Sequence, residues 1–84
     1  MMPSITHINV TVDFSGKSCG TYDVRIPVHQ PIKQLLANLV ETLNLGLDIS
    51  ELYAVKIPEK ELLLTDDDRL VNFSVTTGDI LLVL

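Results

Sequence analysis

With 84 residues, the chain is long enough for one small domain, residues 1–84, and not for two. A hydrophobic content of 46% beside 20% charged residues is that of a globular protein and excludes disorder. A net charge of −5, with the 6 Lys and Arg scattered, disfavours nucleic acid and anionic lipid as partners, since both need clustered cations.

The leading Met1-Met2-Pro3-Ser4 has no basic segment followed by an apolar core, so it is not a secretory signal. No apolar run approaches the roughly 18 residues that span a bilayer. Both point to a cytosolic protein. Ile8, Val10, Val12 and Phe14 then alternate with His7, Asn9, Thr11 and Asp13, the period of a strand with one buried face. After the turn residues Ser15-Gly16-Lys17-Ser18, a second alternation places Tyr22, Val24, Ile26 and Val28 on one face. Two such strands joined by a short glycine-containing loop form a hairpin, and Pro27 places the second at an edge. Cys19, the one cysteine, excludes an intramolecular disulfide, a four-cysteine zinc site and a ferredoxin-type cluster. It fits a reducing compartment.

The period changes at Ile32. With Leu35, Leu36, Leu39, Val40 and Leu43 it makes one helical stripe, with Pro31 suited to the first turn and Gly46 to a left-handed C-terminal cap. The stripe is under two heptads long and lacks a basic polar face, so it is core and not a coiled coil or membrane-surface helix. A turn or short helical turn at Asp48-Ile49-Ser50-Glu51 precedes a third strand, in which Tyr53, Val55 and Ile57 alternate with Leu52, Ala54 and Lys56. Glu59-Lys60 turns the chain into a fourth strand, Glu61 to Leu64. Thr65-Asp66-Asp67-Asp68-Arg69 forms a polar loop, and Leu70, Val71 and Phe73 anchor a short helical turn beneath it. Gly78-Asp79 opens the last strand, Ile80-Leu81-Leu82-Val83-Leu84, apolar on both faces and therefore suited to the middle of a sheet.

The order β-β-α-β-β-β predicts an α+β fold: a mixed five-stranded sheet packed on one helix, with the first and last strands parallel at its centre, the ubiquitin-like β-grasp. Ile80, Leu82 and Leu84 are expected in the core. Leu81 and Val83 are expected on the outer face beside Asn9, Thr11, Ala54 and Lys56, as a protein-interaction patch. On this assignment Leu81→Asp or Val83→Asp leaves the fold intact and Leu82→Asp unfolds it. A secondary docking surface for a basic partner is expected at Asp66, Asp67 and Asp68.

No catalytic, cofactor or metal site emerges. Cys19 and His29 stand ten residues apart along one strand, roughly 30 Å at the strand rise, too far for a thiol–imidazole pair. His7 and His29 belong to no spaced metal motif. The three aspartates lack the glycine and terminal glutamate of a calcium loop. A charge run of this kind is ordinarily a solvated turn.

Gly20-Thr21-Tyr22-Asp23-Val24-Arg25-Ile26-Pro27 with Pro31-Ile32-Lys33, and Asp68-Arg69-Leu70-Val71-Asn72-Phe73 with Gly78-Asp79-Ile80-Leu81, resemble the hairpin-to-helix and closing segments of the YukD/EsaB family. These are small ubiquitin-like components of the type VII protein secretion system of Gram-positive bacteria. The resemblance implies a cytoplasmic, non-enzymatic accessory or regulatory subunit that is not conjugated to targets, which agrees with an ending on Leu84 instead of Gly-Gly. It implies contacts with cytosolic domains of membrane components, an ATPase or a pseudokinase-like subunit, that would recruit the protein to the membrane's inner face. The protein itself is expected as a monomer or weak homo-oligomer. Two alternatives stand beside this: a ubiquitin-like scaffold outside secretion that uses the acidic loop, and a degenerate sulfur-carrier or modifier protein.

Overall fold

The computed structural model describes residues 6–52 and 54–84. The first four residues and Tyr53, which entered the sequence reading, lie outside that set. The alternation at the start of the chain becomes β1 (His7–Asp13) and β2 (Thr21–Pro27). They pair antiparallel from His7 opposite Pro27 to Asp13 opposite Thr21. The loop between them contains a single 3-10 turn over Ser15–Lys17, with Ser18 (φ 61°) and Gly20 (φ 80°) in left-handed conformations.

The apolar stripe forms helix α1 (Ile32–Thr42), whose Ile32, Leu35, Leu36, Leu39 and Val40 are buried. Its end differs from expectation. Asn44 (φ 54°), not Gly46, takes the left-handed capping position. The Asn44 N–H donates to the Glu41 carbonyl (3.1 Å) and the Leu45 N–H to the Val40 carbonyl (3.0 Å). That is a Schellman cap, in which asparagine tolerates the left-handed backbone nearly as well as glycine does. Gly46 (φ 68°) serves the loop that follows.

Strands β3 (Ala54–Ile57) and β4 (Leu62–Thr65) form a second antiparallel hairpin, and β5 (Ile80–Val83) closes the sheet. The strand order is β2-β1-β5-β3-β4, with β5 parallel to β1 and antiparallel to β3. This is the β-grasp arrangement the element order implied. Between the helix and one sheet face lies a continuous core that includes Ile8, Val10, Val12, Phe14, Ile26, Val55, Ile57 and Leu64.

The facing of β5 is the reverse of the sequence expectation. Leu81 and Val83 are each 1% exposed and belong to the core, while Ile80 is 42% exposed and Leu82 and Leu84 are half-buried. The register explains this. Leu81 sits beside Val12 and Val83 beside Val55, both core residues, whereas Ile80 aligns with Thr11 and Leu82 with Asp13 and Lys56 on the other face. An unbroken apolar run carries no phase of its own, and a shift of one residue exchanges every side chain between faces. The phase is set by main-chain bonds at the strand's start: Gly78 N–H to Asn9 (2.9 Å) and Thr11 N–H to Asp79 (3.1 Å). Leu81→Asp and Val83→Asp therefore place an unpaired charge in the core and unfold the domain. Leu82→Asp does not.

Leu81→Ala is expected to lower the unfolding free energy by about 2–5 kcal/mol, the range for emptying a buried leucine site. Leu82→Ala should lower it by less than about 2 kcal/mol. Urea unfolding of both variants checks the facing, and a larger loss for Leu82→Ala would reverse it.

Candidate functional site

The outer face of the sheet, away from α1, is built by alternate residues of all five strands. Its strand pairings run from Leu63 to Lys56, from Lys56 to Leu82 and from Leu82 to Asp13. Leu82 thus lies between a lysine and an aspartate. One step along, Thr65 faces Ala54, whose carbonyl accepts from the Leu84 N–H (3.0 Å). Toward the other end, Ile80 aligns with Thr11 and Thr11 with Asp23. Leu63 is 56% exposed, and with Leu84 and Lys56 it lines an open cleft of about 480 Å³.

Of the predicted patch, Asn9, Thr11, Ala54 and Lys56 lie on this face. Leu81 and Val83 do not, because their side chains point into the core. Ala54 is 1% exposed and forms floor rather than contact surface. The Thr11 hydroxyl is engaged by the Asp23 carboxylate (2.7 Å). The apolar residues that the sequence reading missed here are Ile80, Leu82, Leu84 and Leu63. The sequence carries one marker that could have found the first three: Asp79, if taken as pointing inward.

Asp79 does point inward. Its residue is 7% exposed. One carboxylate oxygen accepts from the Lys60 ammonium (2.7 Å) and from the Thr76 N–H (2.8 Å). Lys60, from the turn between β3 and β4, also donates to the Ser74 carbonyl (2.7 Å) and the Thr76 hydroxyl (3.3 Å). The clasp ties the 74–79 loop to the second hairpin immediately before β5. Burial, the largest influence on Asp79, raises its carboxyl pKa. The Lys60 hydrogen bond, the Thr76 N–H and the Lys60 charge together outweigh it and hold the pKa below the ordinary value.

The loop of Asp66, Asp67 and Asp68 is drawn into the structure by its backbone. The Asp68 carbonyl accepts from the Ile32 N–H (2.8 Å) and the Asp66 carbonyl from the Lys33 N–H (3.0 Å), so the loop satisfies the first donors of α1. The Asp68 carboxylate accepts from the Thr65 N–H (2.9 Å) and is half-buried. Asp66 and Asp67 remain exposed. Their charges beside a helix N-terminus are favourably placed.

Cys19 is half-buried in the hairpin loop with its thiol on the Lys17 carbonyl (3.4 Å). His29 is exposed beyond the other end of β2. Among the described residues, no group of three or more His, Cys, Asp or Glu side chains is placed to hold a metal ion. Among the same residues, no helix is long and apolar enough to cross a membrane.

One helix packed against a mixed five-stranded sheet in this order defines a ubiquitin-like domain. The C-terminal ubiquitin-like domain of mouse tubulin-specific chaperone e superimposes with a TM-score of 0.67 at 22% identity, covering 98% of this chain and 89% of that one. A ubiquitin-like domain from Arabidopsis thaliana superimposes with a TM-score of 0.69 at 19% identity, covering 99% and 81%. These likenesses concern the fold. Residues 7–83 match the family model described as "WXG100 protein secretion system (Wss), protein YukD". The type VII secretion system accessory factor EsaB of Staphylococcus aureus (strain Newman) is 37% identical over 79 residues, which cover 93% of this chain and 96% of that protein. The chain belongs to the YukD family.

Because the Asp79 pKa is lower in the folded chain, the unfolded chain binds more protons in the window just below the ordinary value of 3.8. The clasp's contribution is therefore fully present above that value and is lost as pH falls through the folded one. Asp79→Asn should be less stable than wild type near neutrality, and the gap should close with acidification. Asp13 and Asp48 shift in the same direction but are present in both proteins, so they cancel in the difference. Urea titrations from about pH 2 to about pH 7 measure it; a gap independent of pH would assign the loss to something other than the carboxylate.

Proposed function

We propose that this chain is a non-enzymatic accessory subunit of a type VII secretion system that acts by docking and not by conjugation. Its working place is the cytoplasm. Its partners are cytosolic domains of membrane components, the ATPase or the pseudokinase-like subunit, which bring it to the inner face of the membrane. Family membership and a relative named as a secretion accessory factor support the setting.

The observation that carries the mechanism is the outer sheet face. Ile80 and Leu63 are 42% and 56% exposed there. Leu82 and Lys56 lie between them, Leu84 beyond Leu82 at one end, and Asn9 and Thr11 at the rim. Full burial of a leucine or isoleucine contributes about 1.5–3 kcal/mol. Two half-exposed side chains with a lysine among them suit a weak, reversible contact once ordering costs are subtracted. The exposed Asp66 and Asp67 belong to a different surface, beside the start of the helix, and a basic partner there would bind with strong salt dependence.

Ile80→Asp and Leu63→Asp should fold with little loss of stability. Each should weaken binding to the purified cytosolic domains of the ATPase or the pseudokinase-like subunit by about tenfold or more, as expected for a charge placed in a desolvated contact. Isothermal titration with wild type, both variants and an Asp66→Asn/Asp67→Asn control measures this. Undiminished binding by the folded Ile80→Asp and Leu63→Asp proteins would remove the face from the mechanism. Binding that instead fails in the aspartate control would transfer it to the loop.

A further inference from the structure

Strand β2 bonds to β1 on one side, and among the described residues no strand pairs with its other side. In an antiparallel pair, residues alternate between those that bond to the neighbouring strand and those whose N–H and C=O face away. The Phe14 N–H donates to the Gly20 carbonyl and the Val28 N–H to the Thr6 carbonyl, so the even-numbered residues of β2 bond to β1. Thr21, Asp23 and Arg25 therefore turn their main-chain groups to the open edge, and Pro27 its carbonyl. Charged residues ordinarily protect such an edge. Here the two charges are of opposite sign and lie two residues apart on one face. Arg25 forms no ion pair among the described residues. Asp23 has one carboxylate oxygen on Thr11 and the other available. On the opposite face Tyr22 and Val24 are only half-buried. Val24 borders a groove of about 340 Å³ between β2 and α1, lined also by Leu35, Leu39 and Leu43.

We propose that this edge pairs with the same edge of a second copy of the chain, β2 against β2, antiparallel about a twofold axis at Val24. The charges choose the register. Hydrogen-bonded pairs can form only between outward-facing residues, so odd positions must meet odd positions. An axis at Asp23 or at Arg25 sets like charges directly opposite each other, which is unfavourable. An axis at Val24 sets Asp23 opposite Arg25 of the second copy and Arg25 opposite its Asp23. Thr21 then meets Pro27, which accepts through its carbonyl and has no N–H to leave unpaired. The two helices lie on the same side of the joined sheet, and Val24 of each copy approaches the other's groove. A closed, self-complementary contact of this kind ends at two copies. It leaves the outer sheet face free and stands or falls separately from docking to secretion components.

Sedimentation equilibrium of wild type, R25D, D23R, their equimolar mixture and the double variant D23R/R25D tests the pairing. Concentrations should reach about 1 mM, the weak end of specific association. Circular dichroism establishes that each variant is folded. Wild type should self-associate. R25D and D23R should each do so at least about tenfold more weakly, since each sets like charges opposite one another twice. Mixing the two variants should restore association, because all-acidic and all-basic edges then meet, and the double variant should behave as wild type. A wild type that stays monomeric, single variants that associate as wild type does, or a mixture that fails to recover would each overturn the proposal. So would a monomeric protein whose Asp23 and Arg25 amides gain hydrogen-exchange protection only when a secretion component's cytosolic domain is added, since the edge would then take a foreign strand.

Discussion

The register of β5 between β1 and β3 is the constraint on which the rest of this domain depends. Among the described residues the two hairpins share no direct strand pairing, and β5 joins them into one sheet. Hydrogen bonds at its beginning, from Gly78 to Asn9 and from Thr11 to Asp79, fix where it sits against β1. The Asp79 carboxylate, turned inward onto Lys60, couples that beginning to the turn of the second hairpin. With the phase set there, Leu81 and Val83 fall beneath the helix and Ile80 and Leu82 fall outside. Which apolar residues the outer face shows thus follows from contacts at the strand's start, the main-chain bonds and the Asp79–Lys60 pair, that are not themselves part of that face. Such a contact need not add much net stability, because drawing an aspartate and a lysine partly out of water opposes their attraction. The alternative register would forgo this pair and its bond to the Thr76 N–H.

The acidic loop shows a similar division of labour. Its carbonyls take the first N–H groups of α1, which has no side-chain cap of its own. An Asp68 carboxylate in the same loop holds the Thr65 N–H at the end of β4. Asp66 and Asp68 thus join the second hairpin to the helix start through their backbone carbonyls and one side chain. Only Asp66 and Asp67 keep their charges fully in water. The loop's sequence invites a reading as a docking site, yet much of it is accounted for by the needs of a helix end.

Much of the architecture was legible in the sequence because it rests on periodicity. The alternation from Ile8 to Phe14, the stripe from Ile32 to Leu43 and the turn residues around Gly16 and Pro58 are local signals with one interpretation each. Gly46 is the cap that residue type suggests, but asparagine can occupy the same backbone region, and the sequence does not show that the last turn ends at Asn44. The facing of β5 was misassigned for a deeper reason. Five consecutive apolar residues have no periodicity to read, so the phase comes from the flanking Asp79, and an aspartate is ordinarily assigned to solvent. Its inward turn depends on Lys60, nineteen positions earlier. Asn9, Thr11 and Lys56, which lie in strands with a clear alternation, were placed on the correct face. Its isoleucine and leucines were not.

The central placing of β5 also bears on how the domain is made. Hairpins β1–β2 and β3–β4 can each form from neighbouring residues, but β1 must wait for a strand some seventy positions further along the chain. Parallel pairing across so long a loop is slow to nucleate, because closure entropy is lost before contacts reward it. Until it forms, β1 and β3 each present an unpaired edge flanked by apolar residues that later become core. A newly synthesised molecule is then most prone to join with its siblings during this interval, and the speed of β5 insertion sets how long that exposure lasts.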